Sequence, residues 1–130
     1  MTQSLAAVAL VVPEYDEAIA FYVGKLGFEL VEDTRLSEEK RWVLVAPKGS
    51  NNGCRLLLAK AASERQRAAI GNQSGGRVFL FLHTDDLARD HARLAAAGVK
   101  FVREPSRADF GTAAVFEDPF GNLWDLVQPA

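Results

Sequence analysis

Few side chains in this chain can do chemistry. It holds two histidines and one cysteine among 130 residues, so a metal cluster or a cysteine–histidine pair has little to draw on. His83 closes the apolar run that starts at Val78, just before Thr84-Asp-Asp86. Its titration near neutral pH makes it the best acid–base candidate, with a rim residue bonded to a loop carbonyl as the plainer reading. His91 recurs with Leu87 and Leu94 at helical spacing and is expected to pack sideways on a helix. Cys54, beside Gly53 at a strand start, reads as a small packing residue. The chain has no glycine-rich phosphate loop, no Gly-x-Ser-x-Gly nucleophile turn and no Cys/His spacing for zinc.

The elements that must position these residues come as an internal echo. Val8-Ala-Leu-Val-Val12 opens one half of the chain and Val78-Phe-Leu-Phe-Leu82 the other. A helical stretch follows each: Asp16 to Leu26, with Ala18, Ile19, Tyr22, Val23 and Leu26 as its apolar stripe, and Leu87 to Ala97. Each helix stops at a glycine, Gly27 and Gly98. Strands are expected at about 5–12, 28–34, 41–46 and 54–60, and again at about 78–83, 100–103, 112–116 and 123–128. Gly53 and Gly121 sit at matching turns. The repeat makes the fold α+β, one domain over 1–130 built of two βαβββ modules, about 5–60 and 77–128, neither able to bury its sheet face alone. A connector, 61–76, is expected to carry a short helix near Glu64 to Ile70.

Composition narrows the function classes. A net charge of −2 with Arg and Lys scattered among acids gives no footprint for nucleic acid. No apolar run reaches the roughly 18 residues a membrane span needs. The N-terminus lacks a basic segment before an apolar core, so no signal peptide is expected. One cysteine fits a reducing cytoplasm, the expected location.

Asp16-Glu-Ala-Ile-Ala-Phe-Tyr22, then Leu26-Gly-Phe28, then Asp118-Pro-Phe-Gly-Asn-Leu-Trp-Asp125 resemble the vicinal oxygen chelate superfamily over essentially the whole chain. That group includes glyoxalase I, bleomycin-resistance proteins and extradiol dioxygenases. The resemblance implies paired modules forming an incomplete barrel around a cup, and commonly a homodimer. Its enzymes hold a divalent metal with one residue from the first and one from the last strand of each module. Aligning the two opening strands sets Ala7 against Phe79, and aligning Gly53 with Gly121 sets Leu57 against Asp125. Ala, Leu and Phe offer no lone pair, so only Asp125 of these four can ligate. The resemblance therefore implies the fold, and the residues argue against the family's metal; no metal and no cofactor are expected.

Side chains two apart on a strand share a face. If position 79 faces the cup, so do Phe81 and His83, with Ala7, Ala9 and Val11, with Arg55, Leu57 and Ala59, and with Leu123, Asp125 and Val127. Such a cup is apolar and aromatic with three polar groups, Arg55, His83 and Asp125, as small-molecule pockets are. The plainer reading has Phe79 and Phe81 filling the barrel and Arg55 paired with Asp125. Trp124, facing away from Asp125, reads as core, and the face taken by Trp42 is left open. Two functions stand. One is a metal-free protein of bleomycin-resistance type, a homodimer binding a small planar or aromatic molecule through Arg55, Leu57, Phe79, Phe81, His83, Leu123 and Asp125. The other is a glyoxalase- or dioxygenase-like enzyme (lyase, isomerase or oxidoreductase) with a displaced metal site or acid–base chemistry by His83 and Asp125.

Overall fold

The computed structural model describes residues 1–50 and 52–130. Its contacts gather into two units, Met1–Ile70 and Gly71–Ala130, called modules 1 and 2 below.

In module 1, strand β1 (Ala7–Val12) leads to helix α1 (Tyr15–Ile19), followed by β2 (Glu29–Arg35), β3 (Arg41–Ala46), β4 (Arg55–Lys60) and the short helix α2 (Glu64–Ala69). The sheet order is β1-β4-β3-β2, with β1 parallel to β4 and the other pairs antiparallel. One sheet face is closed by apolar packing. Leu10, Val12, Val43, Val45, Leu56 and Leu58 are buried, as are Ala18, Phe21, Tyr22 and Leu26 of the helical stretch. Each such side chain contributes about 1.5–3 kcal/mol by leaving water.

The expected helix from Asp16 to Leu26 is in fact two kinds of helix. After α1 the chain widens into a π-helical turn, Ala20–Lys25. There the N–H of Leu26 donates to Phe21 O at 2.8 Å, a five-residue reach. The wider turn lets adjacent aromatics bury together, with the Phe21 and Tyr22 rings edge to face at 4.9 Å.

Module 2 repeats the scheme with β5 (Val78–His83), α3 (Leu87–Ala96), β6 (Lys100–Ala108), β7 (Gly111–Glu117) and β8 (Leu123–Pro129), in sheet order β5-β8-β7-β6. Helix α3 ends as its glycine predicts. Gly98 takes φ +87°, and Val99 N donates to Leu94 O at 3.0 Å while both side chains are buried. Strand β6 runs well past the expected Arg103. Pro105 does not stop it, because it falls in a register shift of this edge strand, between the pairs Arg103–Val115 and Ser106–Ala113, where no ladder partner needs its donor.

One expectation for the turn before β4 is corrected. Cys54 is exposed, because it precedes the first sheet pair, Ala7 with Arg55. Gly53 lacks the left-handed backbone that Gly121 adopts at φ +108°. No helix among the described residues is long and apolar enough to cross a membrane.

Candidate functional site

Register decides what each sheet presents on its open face. In module 2 Trp124 and Leu126 are buried, whereas Leu123 and Asp125 are partly exposed. Trp124 stacks on Phe116 at 5.8 Å with the rings 7° apart, so it belongs to the core. Asp125 pairs with Phe81 on one side and with Val115 on the other, and Val115 pairs with Arg103. One row thus crosses the open face from aromatic ring to carboxylate to aliphatic to guanidinium. Phe81 is 65% exposed; a ring in that state is not filling a core.

Asp125 is the electrostatic oddity of the row. Its Oδ1 is buried with no hydrogen-bond partner, and no Lys or Arg nitrogen lies within ion-pair distance among the described residues. Burial raises its pKa above the usual aspartate range, and the positive charge of Arg103 offsets part of that rise. An unfilled acceptor on an accessible sheet face is a place for a donor from outside the fold.

His83 ends β5, the strand of Phe81, exposed and opposite Val127. Just beyond it, Thr84 Oγ1 donates to Asp90 at 2.5 Å, and Asp86 Oδ1 caps α3 by accepting from Arg89 N at 3.0 Å. Gln128 Oε1 accepts from Leu87 N at 2.8 Å, tying the helix start to β8. His91 packs sideways as its spacing requires, 4.5 Å from the Phe101 ring and 2.9 Å from Glu104.

Phe79 departs from strict alternation. Val78 pairs with Leu123 and Leu80 with Trp124, which leaves Phe79 as the extra residue of a β-bulge. Alternation counted from position 79 to positions 81 and 83 crosses this bulge. The face held by Phe81 and His83 rests instead on their own partners, Asp125 and Val127.

In module 1, Ala7 pairs with Arg55 and Ala9 with Leu57. The equivalent row runs Ala9, Leu57, Leu44, Glu32. Trp42 shares the parity of Leu44 and is 38% exposed, while Val43 on the opposite face is fully buried. Its face is therefore the open one. Arg103 and Glu32 were missed from sequence; matching the two helix-ending glycines, Gly27 and Gly98, and counting onward would have aligned them.

The Asp-Pro-x-Gly-Asn stretch is a turn-building device. Asp118 Oδ1 accepts from Phe120 N (2.9 Å) and Asn122 N (2.8 Å), and Oδ2 accepts from Asn122 Nδ2 (2.7 Å). Both side chains are buried. The box sets the β7–β8 register and so places Asp125 in its row. Among the described residues no three of His, Cys, Asp and Glu come together in a way that could hold a metal.

This sheet order, helix placement and closing turn match a known family model, the Glyoxalase/Bleomycin resistance protein/Dioxygenase superfamily, over residues 4–126. The chain belongs to that superfamily. A superfamily relative, an uncharacterized protein of Shewanella frigidimarina, is 60% identical over 129 residues, covering 98% of this chain and 95% of its own. The crystal structure of UcmS2 superposes with a TM-score of 0.85 at 36% identity, covering 98% of both chains. That of TnmS3, an antibiotic binding protein from Streptomyces sp. CB03234, superposes at 0.79 with 32% identity, covering 99% of this chain and 98% of its own. The superfamily fold is thereby shown over nearly the full length; fold alone leaves the chemistry to the site.

Proposed function

We propose that this superfamily member binds a small planar or aromatic molecule without a metal and without turning it over, as a cytoplasmic homodimer. The observation that carries the reading is the pair Phe81 and Asp125, an exposed ring beside a buried acceptor with no partner, adjacent in one row of one sheet face. A planar π-system stacks on the ring and a donor on the same molecule fills the acceptor. Phe79, His83 and Leu123 flank that pair in module 2, and Arg55 and Leu57 offer a cation and an apolar surface on module 1. The likeness to TnmS3 supports a bound antibiotic-like compound. The residues at the family's metal positions support the metal-free part, since Ala7, Leu57 and Phe79 have no donor atom. Edge strands support the dimer: β2 is exposed along its whole length and carries Leu30 and Val31 outward.

The test is a binding screen with planar polar aromatics, read by calorimetry and by product analysis. Phe81→Ala is expected to weaken the best binder by about 1–3 kcal/mol, and His83→Ala by less. Product formation abolished by His83→Ala and untouched by Phe81→Ala would move the protein to the enzyme class. Sedimentation as a monomer at micromolar concentration would refute the dimer.

A further inference from the structure

Module 1 holds a cavity of about 680 Å3 that shares only Leu57 with the reading above. Its size is that of a small-ligand site. Trp42, Leu57 and Ala59 supply an apolar wall on the open face of the sheet. The connector helix α2 lines it with Gln66 and Arg67, and local caps fix the start of that helix. Ser63 Oγ accepts from Gln66 N at 3.1 Å, and Gln66 Oε1 accepts from Ala62 N at 2.6 Å. With its oxygen so engaged, the Gln66 amide has its NH2 left to donate.

The charges on the lining are unequal. Lys40, Arg41, Lys60 and Arg67 face a single carboxylate, Glu39. Arg41 is already committed to Asp16 at 2.8 Å and Asp33 at 2.7 Å, and Lys60 to Glu14 at 3.2 Å. Lys40 and Arg67 have no ion-pair partner among the described residues. An aromatic wall with two uncommitted cations and an amide donor selects a flat ring that carries a negative charge. Arg67 suits a carboxylate in particular, because its guanidinium can meet both oxygens.

We propose that this cavity is a second ligand site, taking a planar aromatic monoanion with its ring on Trp42 and its anionic group on Lys40 and Arg67. The experiment compares naphthoate, neutral naphthalenemethanol and cationic naphthalenemethylammonium on the full chain by calorimetry, at low and high ionic strength. Naphthoate should bind about ten-fold tighter than the alcohol at low salt, with the cation weakest and the preference shrinking as salt screens the exposed charges. Trp42→Ala should weaken all three compounds. Lys40→Glu combined with Arg67→Glu should reverse the charge preference, and naphthoate binding should fall further in Trp42→Ala than in Phe81→Ala. All three altered side chains in module 1 are exposed, and thermal melts by circular dichroism confirm folding. Equal affinity for the three compounds, or no binding of naphthoate, would overturn the site. So would loss of naphthoate binding in Phe81→Ala with none in Trp42→Ala, a result that leaves the Phe81–Asp125 reading standing.

Discussion

Removing one carboxylate should loosen the closing turn of module 2 more than its small size suggests. Asp118 is 2% exposed and accepts three hydrogen bonds, two of them from main-chain N–H groups. Asp118→Ala strands the buried Asn122 N–H, worth about 1.5–3 kcal/mol for a bond to a charged acceptor. The Phe120 N–H is only part-buried and can recover water, so its loss and that of the Asn122 side-chain bond add about 1 kcal/mol each. The expected cost is thus about 3.5–5 kcal/mol, a large share of what holds a small domain folded. Asp118→Asn keeps an acceptor for both main-chain donors but sets one NH2 group against another, and should cost about 1–2 kcal/mol. Urea unfolding of a Trp42→Phe background reads this out cleanly, because Trp124 then reports alone from the strand that the turn launches. At an m-value of about 1–3 kcal/mol/M, the Ala variant should shift the midpoint down by more than about 1 M. A loss under about 1 kcal/mol for Asp118→Ala would show that these bonds do not hold the turn.

Three further outcomes are expected. Between the usual aspartate pKa of 3.8 and the raised value of Asp125 in the fold, the folded chain binds more protons than the unfolded chain. This group's contribution to stability therefore falls as pH rises through that window and stays unfavourable above it. Asp125→Asn should then raise the urea midpoint at pH 7 and flatten that part of the profile; a lowered midpoint would mean the carboxylate has a partner in the fold. Phe79→His should leave the protein without tight zinc in equilibrium dialysis, since it brings the donors at the family positions to two where three or four are usual; stoichiometric zinc would refute the donor count. Gly71→Ala should cost at least about 2 kcal/mol, because a Cβ there meets the Phe120 carbonyl in addition to the strain of φ +71°. Gly49→Ala, at φ +80° with open space around it, should cost about 1 kcal/mol, and equal losses would remove the steric argument.

Much of the fold was legible because apolar periodicity and glycine punctuation carry it. The buried set Leu10, Val12, Leu56, Leu58, Trp124 and Leu126 is the one alternation selects. The helix ends fall at Gly27 and Gly98, with φ of +88° and +87°. The parts that were not legible are those where one residue is inserted without changing composition. Bulges at Val31, Phe79 and Val102 sit inside runs that read as ordinary strand, and the ladder reveals them only through a skipped partner. The π turn is hidden for the same reason, since its residues fit an α-helical stripe. Arg103 escaped because the expected strand stopped at it and its role lies two strands away from Asp125.

The inserted residues also bear on how far a repeat can be used to find a site. Val31 and Val102 are bulged at equivalent places in the two modules, whereas β6 has a second register shift, between Arg103 and Ser106, that β2 lacks. Phe79 has no counterpart: β1 pairs with β4 residue for residue, whereas β5 skips one against β8. Here the registers differ, and the two rows differ in chemistry as well, Ala9-Leu57-Leu44-Glu32 against Phe81-Asp125-Val115-Arg103. The ring, the unpartnered carboxylate and the guanidinium stand together on module 2, while module 1 carries its aromatic and its free cations at the cavity beside α2. Divergence of this kind is what separate ligand contacts on each module would produce.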